Sequence, residues 1–370
     1  MNRILICFLY LFTASLFAQN DSVLVKDEKK VRLVGIPIIN YSNSFGASFG
    51  GFGSAYYNVS ASDTISPLSS SGLFGIYSTN KTWFIAQINK FYFKEDTFRL
   101  KTAMGAGTIN FQTFIGWPNI ISDIPYFGGL AYSETEDDGV FVDYQTKVFF
   151  AYTELLYNVY KKLYVGPQFV YSQNKTTFES IFIPSEEISQ FGFGVSLVYD
   201  TRDNQFAPVD GFHAKANNMS FSENIGSTNS YTRLNLVYNH YFSIGEENTI
   251  LARFYSDLSI GDVPFSGQNV VGRDDLRGYS EGKYRGDQVY AVQSEYRHWF
   301  ADRWGFVTFA GVATAVDKLD EMRFDNLLPA AGAGIRFKAL PKQRINIGID
   351  VAVGKDDWGL YFRIGEAFTR

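Results

Sequence analysis

Residues 344–353, "RINIGIDVAV", decide how this chain folds. Apolar and polar residues alternate strictly along the stretch. The first set is Ile345, Ile347, Ile349, Val351 and Val353, and the second is Arg344, Asn346, Gly348, Asp350 and Ala352. A strand with this period of two presents one face to an apolar phase and the other to a polar phase. Taken alone, it fits a soluble β-sandwich as well as a membrane barrel.

Two further stretches repeat this alternation and place charges on the polar face. In "AAGAGIRFKA" (330–339) these are Arg336 and Lys338, and in "FGFGVSLVYD" (191–200) the charge is Asp200. Charged side chains on the inner faces of several strands do not make a dry core, but they suit the wet lumen of a transmembrane barrel. The aromatic content of 17% and the 33 glycines fit the same architecture. We therefore predict an all-β transmembrane barrel.

Turn-forming stretches divide residues 32–368 into about 16 strands. An even number places both ends of the barrel on the periplasmic side. The longest connections each follow an odd-numbered strand and so should lie outside the cell; they are 113–140, 176–188, 263–286 and 315–328. The connection 59–69 is the exception, because it is long and falls on the periplasmic side. The sequence thus predicts a 16-stranded antiparallel transmembrane β-barrel.

The first 18 residues, "MNRILICFLYLFTASLFA", have the charged start, short apolar run and small final residue of a secretory signal peptide. Cys7 lies inside it, so the mature chain is expected to lack cysteine. Removal of Arg3 lowers the 33 basic residues to 32 against 38 acidic ones, a net charge of −6, and nothing points to nucleic acid. We expect a signal peptide (1–18), a short polar segment (19–31) and the barrel (32–370).

Two motifs point to a known family. "LVYDTRDNQFAPVDGF" (197–212), followed by "LRGY" (276–279), resembles the outer membrane protein 85 superfamily, the bacterial surface-antigen barrels of the insertase and translocase type. The resemblance implies a periplasmic turn built on Asp200, Arg202, Asp203, Pro208 and Gly211. It also implies that Leu276, Arg277, Gly278 and Tyr279 lie at the tip of the sixth extracellular loop, which folds back into the barrel.

The same resemblance implies acidic partners for Arg277 on the inner wall. The family's twelfth strand carries an inward Glu, which "AVQSEYRHW" supplies here as Glu295. Its thirteenth strand usually carries an inward Asp two residues before a Gly. In this chain Phe309 occupies that position, before Gly311. We therefore predict an ion pair between Arg277 and Glu295, with Asp350 as the substitute acceptor.

Both ends of the barrel also resemble the family. "DWGLYFRIGEAF" (357–368) is similar to the assembly signal of the last strand, carried here by Gly359, Phe362, Ile364 and Phe368. In the first strand, Pro37 either weakens pairing with the last strand, as a lateral opening requires, or simply marks the strand's periplasmic start. Only residues 19–31 precede that strand. They are too few for a periplasmic POTRA domain, so we expect a POTRA-less form.

Three functions remain in competition. The resemblance favours a barrel that assists insertion or translocation of protein or lipid, with outer-membrane lipid as its surroundings. A second copy of the barrel, or another outer-membrane or periplasmic protein, would then act as partner. A passive or gated pore is the alternative. An enzyme is disfavoured, because no His–acid or Ser–His–acid constellation is apparent, and no cofactor or metal site is predicted.

Overall fold

The alternating stretches form long antiparallel strands in the computed structural model of the protein. The structure describes residues 31–42, 46–116, 139–179, 184–245, 248–272, 275–280 and 282–368. The strands are β1 (Val31–Ser42), β2 (Gly46–Tyr57), β3 (Ser69–Ser78), β4 (Trp83–Phe93), β5 (Phe98–Gly116), β6 (Gly139–Tyr160), β7 (Leu163–Phe178), β8 (Glu186–Asp200), β9 (Gly211–Phe221), β10 (Tyr231–Ile244), β11 (Asn248–Gly261), β12 (Asn269–Val270), β13 (Arg285–Gly286), β14 (Gln288–Trp299), β15 (Trp304–Val316), β16 (Leu328–Leu340), β17 (Ile345–Gly354) and β18 (Asp357–Ile364). Short 3-10 turns lie at Glu223–Ile225, Phe265–Gly267, Leu319–Glu321 and Pro341–Gln343. None of the helices in these ranges is long and apolar enough to cross a bilayer.

All strands except β12 and β13 belong to one 16-stranded antiparallel sheet. Each strand pairs with its neighbour in the chain, and β11 pairs with β14 across the short β12–β13 hairpin. The first and last strands, β1 and β18, approach to within 8 Å between Cα atoms. The sheet therefore curls round into a barrel, which confirms the predicted fold class. The predicted signal peptide and segment 19–31 fall almost wholly outside the described residues.

The junction between β1 and β18 differs from the rest of the sheet. Neighbouring strands elsewhere are joined by antiparallel ladders, for example β1 with β2 and β17 with β18. Within the described ranges, no such ladder joins β1 to β18. Pro37 lies in the middle of β1, opposite Gly51 of β2. The alternative that Pro37 marks the start of the strand is therefore wrong.

Side-chain direction follows the sequence alternation. On β8, Phe191, Phe193 and Val195 are exposed on the outer surface, whereas the residues between them are buried. On β17, Ile349 and Val351 face outward and Asp350 is fully buried. The apolar faces thus meet the hydrocarbon of the membrane, and the charged faces point into the lumen.

The connections gather at two ends of the barrel. The terminal end, where β1 begins and β18 ends, carries the connections 58–68, 94–97, 161–162, 201–210, 300–303 and 341–344. The opposite end, called the loop end, carries the longest connection described, residues 262–287. One predicted boundary is wrong: the last strand stops at Ile364, because Gly365 takes a φ of +82° and turns the chain out of the sheet.

Candidate functional site in the barrel lumen

The connection 262–287, which we call the LRGY loop, leaves β11 and folds into the barrel. Leu276 and Tyr279 are buried, and they join one apolar cluster with inward residues of the wall such as Val289 and Ala291. The Tyr279 hydroxyl donates to the Pro329 carbonyl at 2.6 Å. These contacts place the four residues of the motif inside the lumen rather than in solvent.

Glycine is required at the tip of this loop. Gly278 has a φ of +111°, a conformation that side-chain-bearing residues rarely adopt. A Cβ there would lie 2.9 Å from the backbone of Val353. The Gly278 N–H donates to the Tyr361 hydroxyl at 2.9 Å. The loop backbone therefore approaches β17 and β18 as closely as a glycine allows.

Arg277 is fully buried and contacts both of the carboxylates that the sequence nominated. Its Nη2 lies 2.5 Å from Glu295 Oε2, and its Nη1 lies 2.7 Å from Asp350 Oδ2. Nη2 also donates to Gln293 Oε1 at 3.0 Å. Since Glu295 and Asp350 belong to β14 and β17, the single guanidinium fastens the loop to two separated strands of the wall.

Phe309 takes part in the same site without supplying a charge. Its ring lies under the Arg277 guanidinium, with 3.3 Å between Cζ and the ring centroid. An arginine stacked on an aromatic face gains a favourable cation–π interaction. Gly332 makes room for the ring, because a Cβ there would lie 2.3 Å from Phe309 Cζ. Phe309, which departs from the family pattern, thus contacts the flat face of the Arg277 guanidinium.

Residues 365–368, which we call the inner segment, also enter the lumen. The Phe368 carbonyl accepts hydrogen bonds from Asn239 Nδ2, at 2.9 Å, and from the Tyr241 hydroxyl, both on the far wall. Phe368 is fully buried. Its predicted place in the outward assembly signal is therefore wrong, because the chain turns inward at Gly365. Gly359, Phe362 and Ile364 do lie on β18.

Further arginines join these groups into what we call the lumenal ion cluster. It consists of Arg277, Arg297, Arg336, Arg363, Glu295, Asp350 and Glu366. Arg336 contacts Asp350 and lies 2.8 Å from Glu366, so it joins the wall to the inner segment. Burying this many charges is tolerable only because each is paired and hydrogen-bonded.

The sequence analysis did not predict that the inner segment enters the lumen. One signal was present: on an uninterrupted strand 358–368, Glu366 would follow the outward parity of Phe362 and Ile364. A carboxylate on that face would lie in or next to hydrocarbon, which is costly. The strand therefore has to end before Glu366, as it does.

The motif turn 201–210 closes the terminal end of the barrel. Arg202 Nε lies 2.7 Å from Asp200 Oδ1, and Asp203 Oδ1 accepts the N–H groups of the chain near Pro208. Gly211 has a φ of +91° where β9 begins.

This turn also reaches across the lumen. The Phe206 ring packs edge-on against Tyr56 of β2, with 5.3 Å between ring centroids. The Phe206 carbonyl accepts from the Glu366 N–H at 3.3 Å, and the Pro208 carbonyl accepts from Arg297 at 3.3 Å. The turn therefore forms a floor beneath the inner segment and the lumenal ion cluster.

The chemistry of the lumen is that of paired charges. Among the described residues, no group of three or more His, Cys, Asp or Glu side chains is arranged to hold a metal ion. Glu295, Asp350 and Glu366, the carboxylates of the lumenal ion cluster, are engaged by arginines at 2.5 to 2.9 Å. Such an arrangement holds the LRGY loop in a fixed position in the lumen.

Comparisons with known proteins agree with this architecture. The sequence profile of the Omp85 superfamily domain matches residues 73–368. BamA from Haemophilus ducreyi, solved without POTRA domains 1–3, has a similar structure: the TM-score is 0.56 at 14% identity, over 90% of this chain and 70% of that one.

Two CdiB structures are also similar. For CdiB from Acinetobacter baumannii the TM-score is 0.57 at 11% identity, over 92% of this chain and 60% of that one. For CdiB from Escherichia coli it is 0.57 at 8% identity, over 91% and 63%. This chain thus spans less than two thirds of either CdiB. Among curated proteins, none matches the sequence. With the profile covering most of the barrel, this outer-membrane protein belongs to the Omp85 superfamily.

Proposed function

We propose that this barrel assists the insertion or translocation of protein or lipid at the outer membrane by opening sideways between β1 and β18. The observation that carries the proposal is the junction itself, where the two strands are adjacent but share no ladder in the described ranges. Backbone groups facing lipid cost several kcal/mol each when they are unpaired. A client strand or lipid head group that satisfies them would therefore be favoured at this junction.

The lumenal contents support the same proposal. The LRGY loop and the inner segment occupy the lumen, and the turn 201–210 lies across its terminal end. A substrate would meet a filled interior, which favours a route along the wall rather than through the centre. A partner protein or a second barrel would deliver the substrate to the junction.

A disulfide across the junction tests the proposal. Cysteine replaces Ile39, which faces outward on β1, together with Trp358, Leu360 or Phe362 in turn on β18. Three positions on β18 are tested because no ladder within the described residues fixes which residue of β18 lies opposite Ile39. We expect the pair that crosslinks to abolish function in cells and reduction to restore it, because the junction can no longer open.

The matched control locks a ladder that already exists. Ile349 on β17 and Phe362 on β18 are direct partners, and a disulfide there should leave function intact. If the locked β1–β18 junction supports every function of the protein in cells, the lateral opening is wrong and a passive or gated pore becomes the better description.

A further inference from the structure

The inner segment follows the last strand without a linker. Gly365 turns directly after Ile364, and its N–H donates to the Asn346 carbonyl at 2.7 Å. The chain then crosses the lumen to β10, where Phe368 is held by Asn239 and Tyr241. Any displacement of β18 away from the wall must therefore pull on this segment.

The segment contacts the same groups that hold the LRGY loop. The Phe368 ring lies 5.0 Å from Cζ of Arg277, the arginine of the loop motif. It also lies 5.2 Å from Cζ of Arg253, whose Nη2 holds Asp275 of the loop at 2.7 Å. One aromatic ring thus faces both guanidiniums that anchor the tip of the loop.

Glu366 supports the loop from the opposite side. Its carboxylate lies 2.8 Å from Arg336 Nε and accepts from Asn346 Nδ2 at 2.8 Å. Arg336 also contacts Asp350, which is an acceptor of Arg277. Without Glu366, Arg336 would interact more strongly with Asp350. The contact between Asp350 and Arg277 would then weaken.

We propose that the inner segment is a latch that couples the last strand to the LRGY loop. While it is seated, Glu366 and Phe368 hold the ion pairs of Arg277 in place. When β18 moves, the segment withdraws and the loop is released. The coupling is reciprocal, since two elements that stabilise each other's bound state must do so by the same factor. This latch goes beyond the proposed function and does not depend on what the barrel transports.

Thiol labelling in isolated outer membranes tests the latch. Ser280 of the loop is buried, and the mature chain is expected to lack cysteine, so Ser280→Cys gives a single reporter. We expect its labelling by a maleimide to accelerate by about tenfold or more when Glu366→Gln and Phe368→Ala are combined, because local opening exposes the loop. Phe368→Tyr keeps the aromatic face and should label at the parent rate.

Two controls separate the latch from general damage. Leu360→Ala removes a large apolar side chain from the outer face of the same strand and should leave the labelling rate unchanged. Heat-modifiable migration on gels reports whether each variant has folded. If the double variant does not assemble, Glu366→Gln alone keeps the side-chain volume and should still accelerate labelling.

The reverse direction completes the test. Ala367 is buried in the inner segment, and Ala367→Cys should label faster when Arg277→Gln weakens the loop. Unchanged labelling of Ser280→Cys in the folded Glu366→Gln variant, or equal acceleration by Leu360→Ala, would overturn the latch. Acceleration in one direction only would also contradict it.

Discussion

Phe309 changes the set of groups that stabilise the buried guanidinium of Arg277. The guanidinium of Arg277 stacks on its ring and uses Glu295 and Asp350 as its two acceptors. The sequence identified both carboxylates, since parity and the motif point to them. It did not reveal the stacking, because the contact depends on the space that Gly332 leaves on the next strand.

A double-mutant cycle tests this exchange of partners. Glu295→Gln should lower the free energy of unfolding by roughly 3 kcal/mol, because Arg277 and Arg297 both lose a buried carboxylate. Phe309→Asp should also destabilise the barrel, since a buried ring is lost. The combined variant should be less destabilised than the sum, by at least about 1 kcal/mol, because the new carboxylate replaces the lost one.

The measurement is urea unfolding of the purified barrel in detergent or lipid. Phe309→Leu is the matched control, since it removes the ring without adding a charge, and its effect should add to that of Glu295→Gln. An additive cycle with Phe309→Asp would show that position 309 and Glu295 do not serve the same guanidinium.

At the scale of elements, Asp63 holds the long connection 58–68 to the turn that follows β4. Its Oδ1 accepts the N–H groups of Ile65 and Ser66, and its Oδ2 accepts the Ser66 hydroxyl and the Glu95 N–H. These hydrogen bonds, from the Ser66 backbone first, lower the pKa of the Asp63 carboxyl from 3.8 to about 2. The connection that seemed too long for the terminal end is thus an ordered one.

The sign of this shift sets a pH window. A depressed pKa stabilises the connection above pH 3.8, and that contribution is lost as the pH falls towards about 2. Amide hydrogen exchange in residues 58–68, measured against the intrinsic rate of an unfolded peptide at the same pH, should therefore stay slow at pH 4 to 5 and speed up only below that range. Asp63→Asn should speed it up at neutral pH, whereas Asp210→Asn, in another turn of the same end, should not. Equal exchange in the Asp63→Asn variant would show that the carboxylate does not hold the connection.

Elements were more predictable from the sequence than their ends. The 16 strands follow from alternation and turn residues, because a strand at a water–lipid boundary needs that pattern. The end of β18 was misplaced by four residues: Gly365 and Glu366 break the pattern, but the motif resemblance extended the strand to Phe368. Contacts across the lumen, such as Phe206 with Tyr56, join segments far apart in the chain, and nothing in local sequence encodes them.

At the scale of the whole molecule, the filled lumen predicts limited conductance. The LRGY loop, the inner segment and the turn 201–210 all occupy the space that a 16-stranded barrel would otherwise leave open. Planar-bilayer recordings should show small or flickering currents, which rise when residues 272–286 are deleted.

Deletion of residues 318–326 is the control for that recording. This connection lies at the loop end and exposes Leu319, Met322 and Phe324 rather than burying them in the lumen. Its removal should leave the current unchanged. A large and steady current through the intact protein would instead indicate a passive pore.

The unequal lengths of the strands have a consequence at the cell surface. β6 has 22 residues and β5 has 19, whereas β18 has 8. At about 3.3 Å per residue, β6 is roughly 70 Å long, and even when tilted it exceeds the apolar band of about 25 Å by a wide margin. The paired strands β5 and β6 therefore extend beyond the head groups at the loop end, on one side of the barrel. With the loop end outside the cell, as the sequence predicts, these two strands would be accessible to an antibody at the cell surface.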